Sequence, residues 1–278
     1  MSTGQKVPEI GKSIRAGEVM TNYHEVGSGE PVILIHGSGP GVSAWSNWRL
    51  ALPYFGERLH AFAYDQIGFG YSELPSQHVY SLSRWTEHLF SFMDAVGLEQ
   101  AHLIGNSMGA AVALAAAVTH PERVRRLVLM GPMGVRFPIT EGLDAVWGYT
   151  PSVENMKHLI DIFAYDRRLV TDQLAEQRYR ASIRPGVQEA FSSMFPTPRQ
   201  NGVDALAAYE DRLSEIQASS LIVHGREDRV IPLGTSQRLL QVLPNAQLHV
   251  FGHCGHWTQL EHAAIFNRLV RDFLTDEG

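Results

Sequence analysis

The sequence predicts an α/β protein with a mostly parallel, doubly wound sheet and an inserted helical cap. Three observations favour this fold class: short continuous apolar runs, helical stretches between several of these runs, and one long interval without such a run. Continuous apolar runs are typical of strands that are buried on both faces of a parallel sheet. In such sheets ligands bind beyond the carboxyl ends of the strands, so we expect the chemistry to follow the strands.

Six apolar runs are predicted to be strands, and Gly or Asp follows each of them within two residues. They occupy residues 32–35, 61–64, 102–104, 127–130, 221–223 and 248–251. Residues 83–95, between the second and third runs, are predicted to form a helix, as is the Ala-rich stretch 109–119 between the third and fourth. Helices that alternate with buried strands indicate a doubly wound sheet.

The interval between the fourth and fifth runs is helix-like and is interrupted by Pro-containing loops at 150–151, 184–186 and 196–198. About eighty residues without a strand-like run is long for one crossover connection, although ordinary helices of the same layer are the alternative. We interpret residues 132–211 as a helical cap. Residues 1–131 and 212–278 are then the two parts of the core domain.

Composition restricts the classes of function. The 278 residues are 44% hydrophobic and 19% charged, which excludes a disordered chain. The formal charge of -6 argues against a dedicated nucleic-acid binder, so we expect a small-molecule partner. The single cysteine, Cys254, fits a reducing compartment, and no apolar run reaches the length of a membrane span. We therefore expect a cytoplasmic protein that is neither secreted nor inserted in a membrane.

The segment Gly105-Asn106-Ser107-Met108-Gly109 matches the G-x-S-x-G pattern and stands between a predicted strand and a predicted helix. The flanking glycines permit a sharp strand-to-helix turn that exposes the serine hydroxyl, and the helix N-terminus favours developing negative charge. An ordinary loop serine is the alternative, but it does not explain this placement. Ser107 is therefore the candidate nucleophile.

A serine nucleophile needs a base, and the base needs an acid that fixes its tautomer. Asp228 and His256 each come five residues after the end of a predicted strand. The order Ser, Asp, His along the chain is the order expected of an α/β-hydrolase. We prefer Asp228 and His256, while Glu227 as the acid and His253 or His249 as the base stay open.

The loop His36-Gly37-Ser38-Gly39-Pro40-Gly41 follows the first predicted strand, where this architecture places the second amide of an oxyanion hole. The first amide comes from the residue after the nucleophile, so the backbone amides of Ser38 and Met108 are the candidates. The glycine spacing resembles a dinucleotide fingerprint only weakly, and no metal-ligand spacing occurs. We expect neither a cofactor nor a metal.

With these motifs, the sequence resembles the meta-cleavage product hydrolases, the α/β-hydrolase family that cuts carbon–carbon bonds in ring-fission products of aromatic degradation. The resemblance covers nearly the whole chain. It rests on the motifs above, on Asn47 in the segment 45–49, on the segment 224–228 and on Gly255-His256-Trp257. Stretches of the predicted cap at 141–143, 147–152 and 182–186 look like the monoalkylbenzene and hydroxymuconic-semialdehyde branches.

The resemblance implies that Arg184, with Asn47, Asn106 and Trp257, holds the carboxylate and the 2-hydroxy or 2-oxo end of the substrate. A planar guanidinium suits a carboxylate because it can donate two parallel hydrogen bonds. The resemblance also implies a pocket for the C6 substituent, whose matching residues fit a plain core equally well: Met133, Leu143, Trp147, Val230 and Ile231. Members of the family form dimers or larger assemblies, so we expect a homo-oligomer.

The reaction that the resemblance implies is hydrolysis of the C5–C6 bond of 2-hydroxy-6-oxohexa-2,4-dienoates. The products are 2-hydroxypenta-2,4-dienoate and a small carboxylic acid, and the cap stretches favour an aldehyde or a short alkyl group at C6. A carboxylesterase or lactonase with the same three residues is the alternative. A non-catalytic receptor on the same fold is a third class, because fold alone does not decide function.

Overall fold

The computed structural model describes residues 7–75 and 79–276, and these residues form one eight-stranded sheet. The strands are β1 (Lys12–Ala16), β2 (Val19–Val26), β3 (Glu30–Ile35), β4 (Leu59–Tyr64), β5 (Ala101–Asn106), β6 (Val124–Met130), β7 (Ser219–Gly225) and β8 (Ala246–Phe251). Their order is β1-β2-β4-β3-β5-β6-β7-β8. β2 pairs antiparallel with β1 and β4, and all other neighbours are parallel. The predicted fold class is confirmed.

Helices cover both faces of the sheet. Across the described ranges they are α1 (Ala44–Trp48), α2 (Leu52–Phe55), α3 (Leu82–Ala95), α4 (Met108–Thr119), α5 (Glu141–Trp147), α6 (Val153–Phe163), α7 (Asp172–Ser182), α8 (Val187–Met194), α9 (Gln200–Leu206), α10 (Leu233–Val242), α11 (Thr258–Glu261) and α12 (Ala263–Thr275). Buried residues of α3, α4 and α10 pack on one face, and those of α1, α2 and α12 pack on the other. None of these helices has both the length and the apolar character needed to cross a membrane.

The stretch between β6 and β7 is helical. Within residues 131–218, all of which the structure describes, the α-helices are α5 to α9 and no strand occurs. The end of α6 reaches the loop after β8, where the His256 amide donates a hydrogen bond to the Phe163 carbonyl at 2.7 Å. From the end of α5, the Trp147 indole donates to the Ser38 hydroxyl at 3.0 Å. This helical stretch therefore contacts the loops that follow the parallel strands.

β3 and β5 are neighbours in the sheet although the chain forms β4 between them. The winding direction of the sheet reverses at this point, and doubly wound sheets bind ligands in the crevice at such a reversal. The loop 36–41 leaves the carboxyl end of β3, and Ser107 follows the carboxyl end of β5. The topology thus brings two of the predicted catalytic segments together.

β1 and β2 lie outside the six predicted strands. Their residues, KSIRA and VMTNYHEV, mix polar and apolar side chains and form no continuous apolar run. Thr21 and Asn22 of β2 are nevertheless buried, because each bonds to a buried polar partner: Thr21 to His88 at 2.8 Å and Asn22 to Asp65 at 2.8 Å. These partners are distant in sequence, which explains why the local pattern did not predict the strand.

Two buried histidines make the stability of this fold depend on pH. His88 Nδ1 accepts a hydrogen bond from the Ile67 amide at 3.0 Å, and burial lowers the pKa of His88 to about 3. Burial likewise lowers the pKa of His36 to about 4. Above about pH 6.5 both histidines are neutral in the folded and the unfolded state. As the pH falls below that value only the unfolded chain binds the protons, so the folded state loses stability.

We expect the free energy of unfolding to fall by about 1.4 kcal/mol per pH unit for each of these histidines between about pH 6 and pH 4.5. His88→Gln removes one of the two contributions. The difference in stability between the wild type and this variant should therefore shrink as the pH falls. Urea denaturation of both proteins at several pH values measures the difference, and a constant difference would contradict this explanation.

Candidate active site

Ser107 lies at a sharp turn between β5 and α4. Its φ of 55° and ψ of -116° place a non-glycine residue in a sparsely populated backbone region, which is a strained conformation. The Ser107 amide donates to the Met130 carbonyl at 2.8 Å, and the Ser107 carbonyl accepts from the Ala110 and Met133 amides at 3.0 and 3.2 Å. These bonds hold the strained residue in place, and Ser107 lines a cavity.

Both glycines of the G-x-S-x-G motif are required by close backbone approaches. A Cβ atom on Gly105 would lie 2.4 Å from the Gly109 carbonyl oxygen, and a Cβ atom on Gly109 would lie 2.3 Å from the Ile35 carbonyl oxygen. The first approach lets α4 begin directly after β5, and the second lets α4 pack against the end of β3. The motif therefore builds the turn through its small residues.

We expect Gly105→Ala to lower the free energy of unfolding by about 3 kcal/mol, because the backbone that faces the new methyl group cannot move aside. Gly234→Ala in α10 is the matched control, since no atom beyond its chain neighbours and the adjacent backbone of its own helix lies within 4 Å of the position of its added Cβ. The control should be neutral or stabilising by up to about 1 kcal/mol. Chemical denaturation of both variants measures the two effects, and equal stabilities would disprove the steric argument.

Asp228 and His256 form a buried pair beyond β7 and β8. His256 Nδ1 lies 2.6 Å from Asp228 Oδ2, and the Val230 and Ile231 amides donate to Asp228 Oδ1 at 2.7 and 2.9 Å. Burial acts to raise the pKa of Asp228, but His256 and His224 outweigh burial and hold that pKa below its ordinary range. The ionised carboxylate thus accepts the Nδ1 proton of His256, which leaves Nε2 free to accept a proton.

The alternatives for the acid and the base occupy other positions. The Glu227 carboxylate accepts hydrogen bonds from the Arg226 side chain at 2.9 Å and from the Cys254 amide at 3.0 Å. His253 is exposed, and His249 lies on the edge strand β8. Neither histidine lines the cavity at Ser107, whereas His256 does. The geometry therefore favours Asp228 and His256 over all three.

The cavity at Ser107 is bordered by the loop after β3, the helix α1, the turn after β5, the loop after β8 and two helices of the 131–218 stretch. Its lining residues are Gly37, Ser38, Gly39, Val42, Asn47, Asn106, Ser107, Phe163, Arg178, His256 and Trp257. The Phe163 ring stacks on Trp257 at 4.9 Å between centroids and on His256 at 5.9 Å. Three loops and three helices thus enclose the predicted nucleophile and base.

The loop after β3 lies beside Ser107 and is fixed at its start by hydrogen bonds. His36 Nε2 accepts from the Gln66 amide at 3.1 Å, and the Gln66 side chain donates to the His36 carbonyl at 2.8 Å, which fixes the start of the loop. Ser38 lines the cavity beside Ser107. Met108 is the first residue of α4, so its amide has no acceptor within the helix. Both amides predicted from the sequence therefore belong to segments that adjoin Ser107.

Arg178 brings a positive charge to the same cavity. This partly buried side chain comes from the inward face of α7 and donates to the Ser46 hydroxyl at 2.8 Å. Burial lowers the pKa of Arg178, and no carboxylate among residues 7–75 and 79–276 forms an ion pair with it. Glu9 acts on this guanidinium through its charge but forms no ion pair with it, so Arg178 lacks the directly paired carboxylate that partly buried cations normally have. It therefore favours an anionic ligand.

Comparison with known proteins identifies the family. The alpha/beta hydrolase fold family matches residues 30–263. A 2-hydroxymuconate semialdehyde hydrolase of a Pseudomonas species is 56% identical over 276 residues, which cover 99% of this chain and 98% of that protein. The solved structure of a meta-cleavage product hydrolase from Pseudomonas fluorescens is similar with a TM-score of 0.96 and 56% identity, over 97% of this chain and 99% of that one.

The chain belongs to the meta-cleavage product hydrolases. A further relative, a 2-hydroxy-6-oxo-2,4-heptadienoate hydrolase of Pseudomonas putida, is 55% identical over 97% of this chain and 98% of its own length. The resemblance stated from the sequence motifs is confirmed.

The predicted role of Arg184 in this meta-cleavage product hydrolase needs correction. Arg184 lies beyond the end of α7, donates to the Gly70 carbonyl at 2.6 Å and covers the Tyr71 ring at 3.8 Å from the ring centroid. It does not line the cavity at Ser107, whereas Arg178 does. The spacing of Ala175, Arg178 and Ser182 places them on one helical face, and Ala175 and Ser182 are the buried residues of α7. That spacing was the signal for Arg178.

The other predicted substrate contacts divide into two groups. Asn47, Asn106 and Trp257 line the cavity, and Asn47 Nδ2 is a buried donor without a partner in the described structure. The residues predicted for the C6 pocket are all buried, but none lines this cavity: Met133, Leu143, Trp147, Val230 and Ile231. Their role therefore stays a prediction. Among the described residues, no group of three His, Cys, Asp or Glu side chains could hold a metal ion.

Proposed function

We propose that this protein hydrolyses the C5–C6 bond of 2-hydroxy-6-oxohexa-2,4-dienoates to 2-hydroxypenta-2,4-dienoate and a small carboxylic acid. The observation that carries this proposal is an arginine without an acidic partner in the cavity of a serine hydrolase. A general esterase has no need for a cation there, whereas a substrate with a carboxylate at one end and a carbonyl at the other does. Arg178 and Ser107 supply one group for each end.

Substrate binding begins at the carboxylate in this proposal. Arg178 can donate two parallel hydrogen bonds to the carboxylate, and the unpartnered Asn47 Nδ2 can donate a third to the carboxylate or the 2-oxygen. Asn106 and the Trp257 indole line the cavity beside them. The dienoate chain then extends from Arg178 toward Ser107.

The first chemical step is ketonisation, because cleavage of a C–C bond needs a group that accepts the electron pair. The 2-hydroxyl loses its proton and C5 gains one, which gives a 2,6-dioxo intermediate. His256 Nε2 is the base and acid for this transfer, since the Asp228 carboxylate holds the proton on Nδ1. The 2-oxo group can then accept the electrons of the C5–C6 bond.

The second step is attack on the C6 carbonyl. His256 accepts a proton from Ser107 or from a water molecule as the new C–O bond forms, and the Ser38 and Met108 amides bind the oxygen that becomes negative. The C5–C6 bond then breaks, its electron pair restores the dienol, and His256 returns the proton to the 2-oxygen. Where Ser107 is the nucleophile, a water molecule then hydrolyses the acyl-serine ester, with His256 as its base, and releases the carboxylic acid. The Ser38 hydroxyl accepts a hydrogen bond from the Trp147 indole, and this bond holds the loop after β3 in position.

The names of the most similar enzymes reported above support a small substituent at C6 of the substrate. The enzymes at 54–56% identity are named for 2-hydroxymuconate semialdehyde and for 2-hydroxy-6-oxo-2,4-heptadienoate, which carry an aldehyde and a methyl ketone. The 2-hydroxy-6-oxo-6-phenylhexa-2,4-dienoate hydrolase of Burkholderia cepacia is 36% identical. We therefore expect aldehyde and methyl ketone substrates to react faster than the phenyl ketone.

The test follows the loss of visible absorbance of the ring-fission products of catechol, 3-methylcatechol and 2,3-dihydroxybiphenyl. We expect kcat/KM for the first two to exceed that for the third by about tenfold or more, as for a pocket that rejects a larger group. Faster turnover of the phenyl ketone would contradict the expected pocket size. Slow decay of all three beside rapid cleavage of uncharged p-nitrophenyl esters would favour the carboxylesterase or lactonase alternative.

The proposal includes three further expectations, which concern the cap domain, the oligomeric state and the cellular location. Residues 132–211 form the cap domain, whose helices supply Phe163 and Arg178 to the cavity. The protein forms a homo-oligomer of two or more copies, which light scattering after size-exclusion chromatography measures. It acts in the cytoplasm on a small-molecule substrate.

A further inference from the structure

A second cavity adjoins the cavity at Ser107. It shares Val42, Asn47, Arg178 and Trp257 with that cavity, so these four residues form the boundary between the two spaces. We call the second space the outer chamber, and its volume is about 110 Å³. A single water needs about 10–15 Å³ on such a measure, so the outer chamber holds a carboxylate group with several waters.

The outer chamber carries its own cation. Arg49, which lines this chamber but not the cavity at Ser107, is partly buried and donates to the Ser46 carbonyl at 2.6 Å. No carboxylate of the described residues forms an ion pair with Arg49. Glu9 lines the same chamber and acts on both Arg49 and Arg178 through its charge, without an ion pair to either. Two cations and one anion leave a net positive charge.

Two buried residues that line the outer chamber have side-chain polar atoms without partners. Asn47 and Gln259 line the outer chamber and are 7% and 1% exposed, yet Asn47 Nδ2 and Gln259 Oε1 have no hydrogen-bond partner in the described structure. Buried polar groups are normally satisfied, so unpartnered ones at a cavity wall indicate a bound ligand or water. The donor Asn47 Nδ2 suits an anion, whereas the acceptor Gln259 Oε1 needs a donor such as a water molecule. This observation is independent of the arginines and fits a hydrated anion at the same place.

We propose that the outer chamber is a second binding site for carboxylate anions, in which Arg49 binds the substrate carboxylate before it passes to Arg178. The identity of the anion as a dienoate rests on the proposed function. Arg49 is a binding residue in this arrangement, because it contacts the outer chamber and not the reacting atoms. Its removal should therefore weaken capture of the anion and leave the chemical step unchanged.

The test is the binding of sorbate, a stable dienoate that cannot be cleaved, measured by isothermal titration calorimetry at low salt. We expect Arg49→Gln to raise the dissociation constant by about tenfold or more, as for loss of one charge-assisted hydrogen bond. Arg49→Lys, which keeps the charge, should have a smaller effect. Arg58→Gln is the matched control, because it removes the same charge at the amino end of β4, and Arg58 does not line the outer chamber.

Glu9→Gln should change the dissociation constant for sorbate in the direction opposite to that of Arg49→Gln. Removal of this carboxylate should lower the dissociation constant for sorbate by about twofold to fivefold, since a repulsive charge at the chamber is lost. A merely structural role of Arg49 would not predict tighter binding here. If Arg49→Gln has the same dissociation constant for sorbate as the wild type and Arg58→Gln, the proposal is wrong.

Turnover separates this inference from the proposed function. With 2-hydroxy-6-oxohepta-2,4-dienoate, Arg49→Gln should lower kcat/KM by about tenfold at unchanged kcat, and added salt should reduce the difference from the wild type. A lower kcat at unchanged kcat/KM would contradict the binding role. Sorbate binding needs no turnover, so absence of C–C cleavage by the wild type would refute the proposed function and leave the calorimetric test valid.

Discussion

We expect Arg178→Gln to lower kcat/KM for 2-hydroxy-6-oxohepta-2,4-dienoate by between about a hundredfold and a thousandfold. The loss corresponds to about 3 to 4 kcal/mol, which is the range for removal of one partner from a desolvated charge pair. The glutamine keeps hydrogen-bonding capacity but leaves the substrate carboxylate without its cation. Steady-state kinetics at constant ionic strength measures the change.

Arg184→Gln is the matched control for this variant. Arg184 comes six residues later in the chain, has the same charge and binds the Gly70 carbonyl and the Tyr71 ring outside the cavity at Ser107. We expect its kcat/KM to stay within about threefold of the wild type, as for a surface substitution. If Arg184→Gln lowered kcat/KM strongly and Arg178→Gln lowered it little, Arg184 would be the carboxylate-binding residue, as the resemblance implied.

Ser107→Ala should lower kcat by about ten thousandfold or more, because the serine, the histidine and the aspartate act as one unit. The variant should still bind sorbate with a dissociation constant close to that of the wild type, since Arg178, Asn47 and Arg49 are unchanged. Single-turnover kinetics and calorimetry check the two expectations. Retention of more than about a tenth of the wild-type kcat would exclude Ser107 from the chemical step.

The segments that carry the candidate catalytic residues could be predicted because their signals are local. Ser107, Asp228 and His256 each follow a strand closely, and continuous apolar runs of parallel strands are easy to recognise. The steric role of Gly105 lies within the turn itself, whereas Gly109 also makes room for the end of β3. The parallel topology brings the carboxyl ends of these strands together. Chain order and local pattern are therefore enough to predict that the three residues lie close to one another.

The substrate end of the site could not be predicted as well, because its residues depend on tertiary packing. α7 is mostly polar, and its inward face is narrow, with Ala175 and Ser182 beside Arg178. Arg184 and Arg178 stand in similar sequence surroundings, and only the position of α7 over the loop after β3 distinguishes them. Similarly, β2 is a buried strand through its bonds to distant polar side chains, which a local pattern does not contain.

We expect this protein to cleave the C5–C6 bond of a dienoate that it binds through the carboxylate. Proton NMR of the reaction with 2-hydroxy-6-oxohepta-2,4-dienoate tests it most directly, because each product has its own signals. We predict acetate and 2-hydroxypenta-2,4-dienoate in equal amounts with the wild type, and unchanged substrate with Ser107→Ala over the same time. If the substrate disappeared without forming acetate, or if Ser107→Ala cleaved it as fast as the wild type, C–C hydrolysis by Ser107 would be excluded.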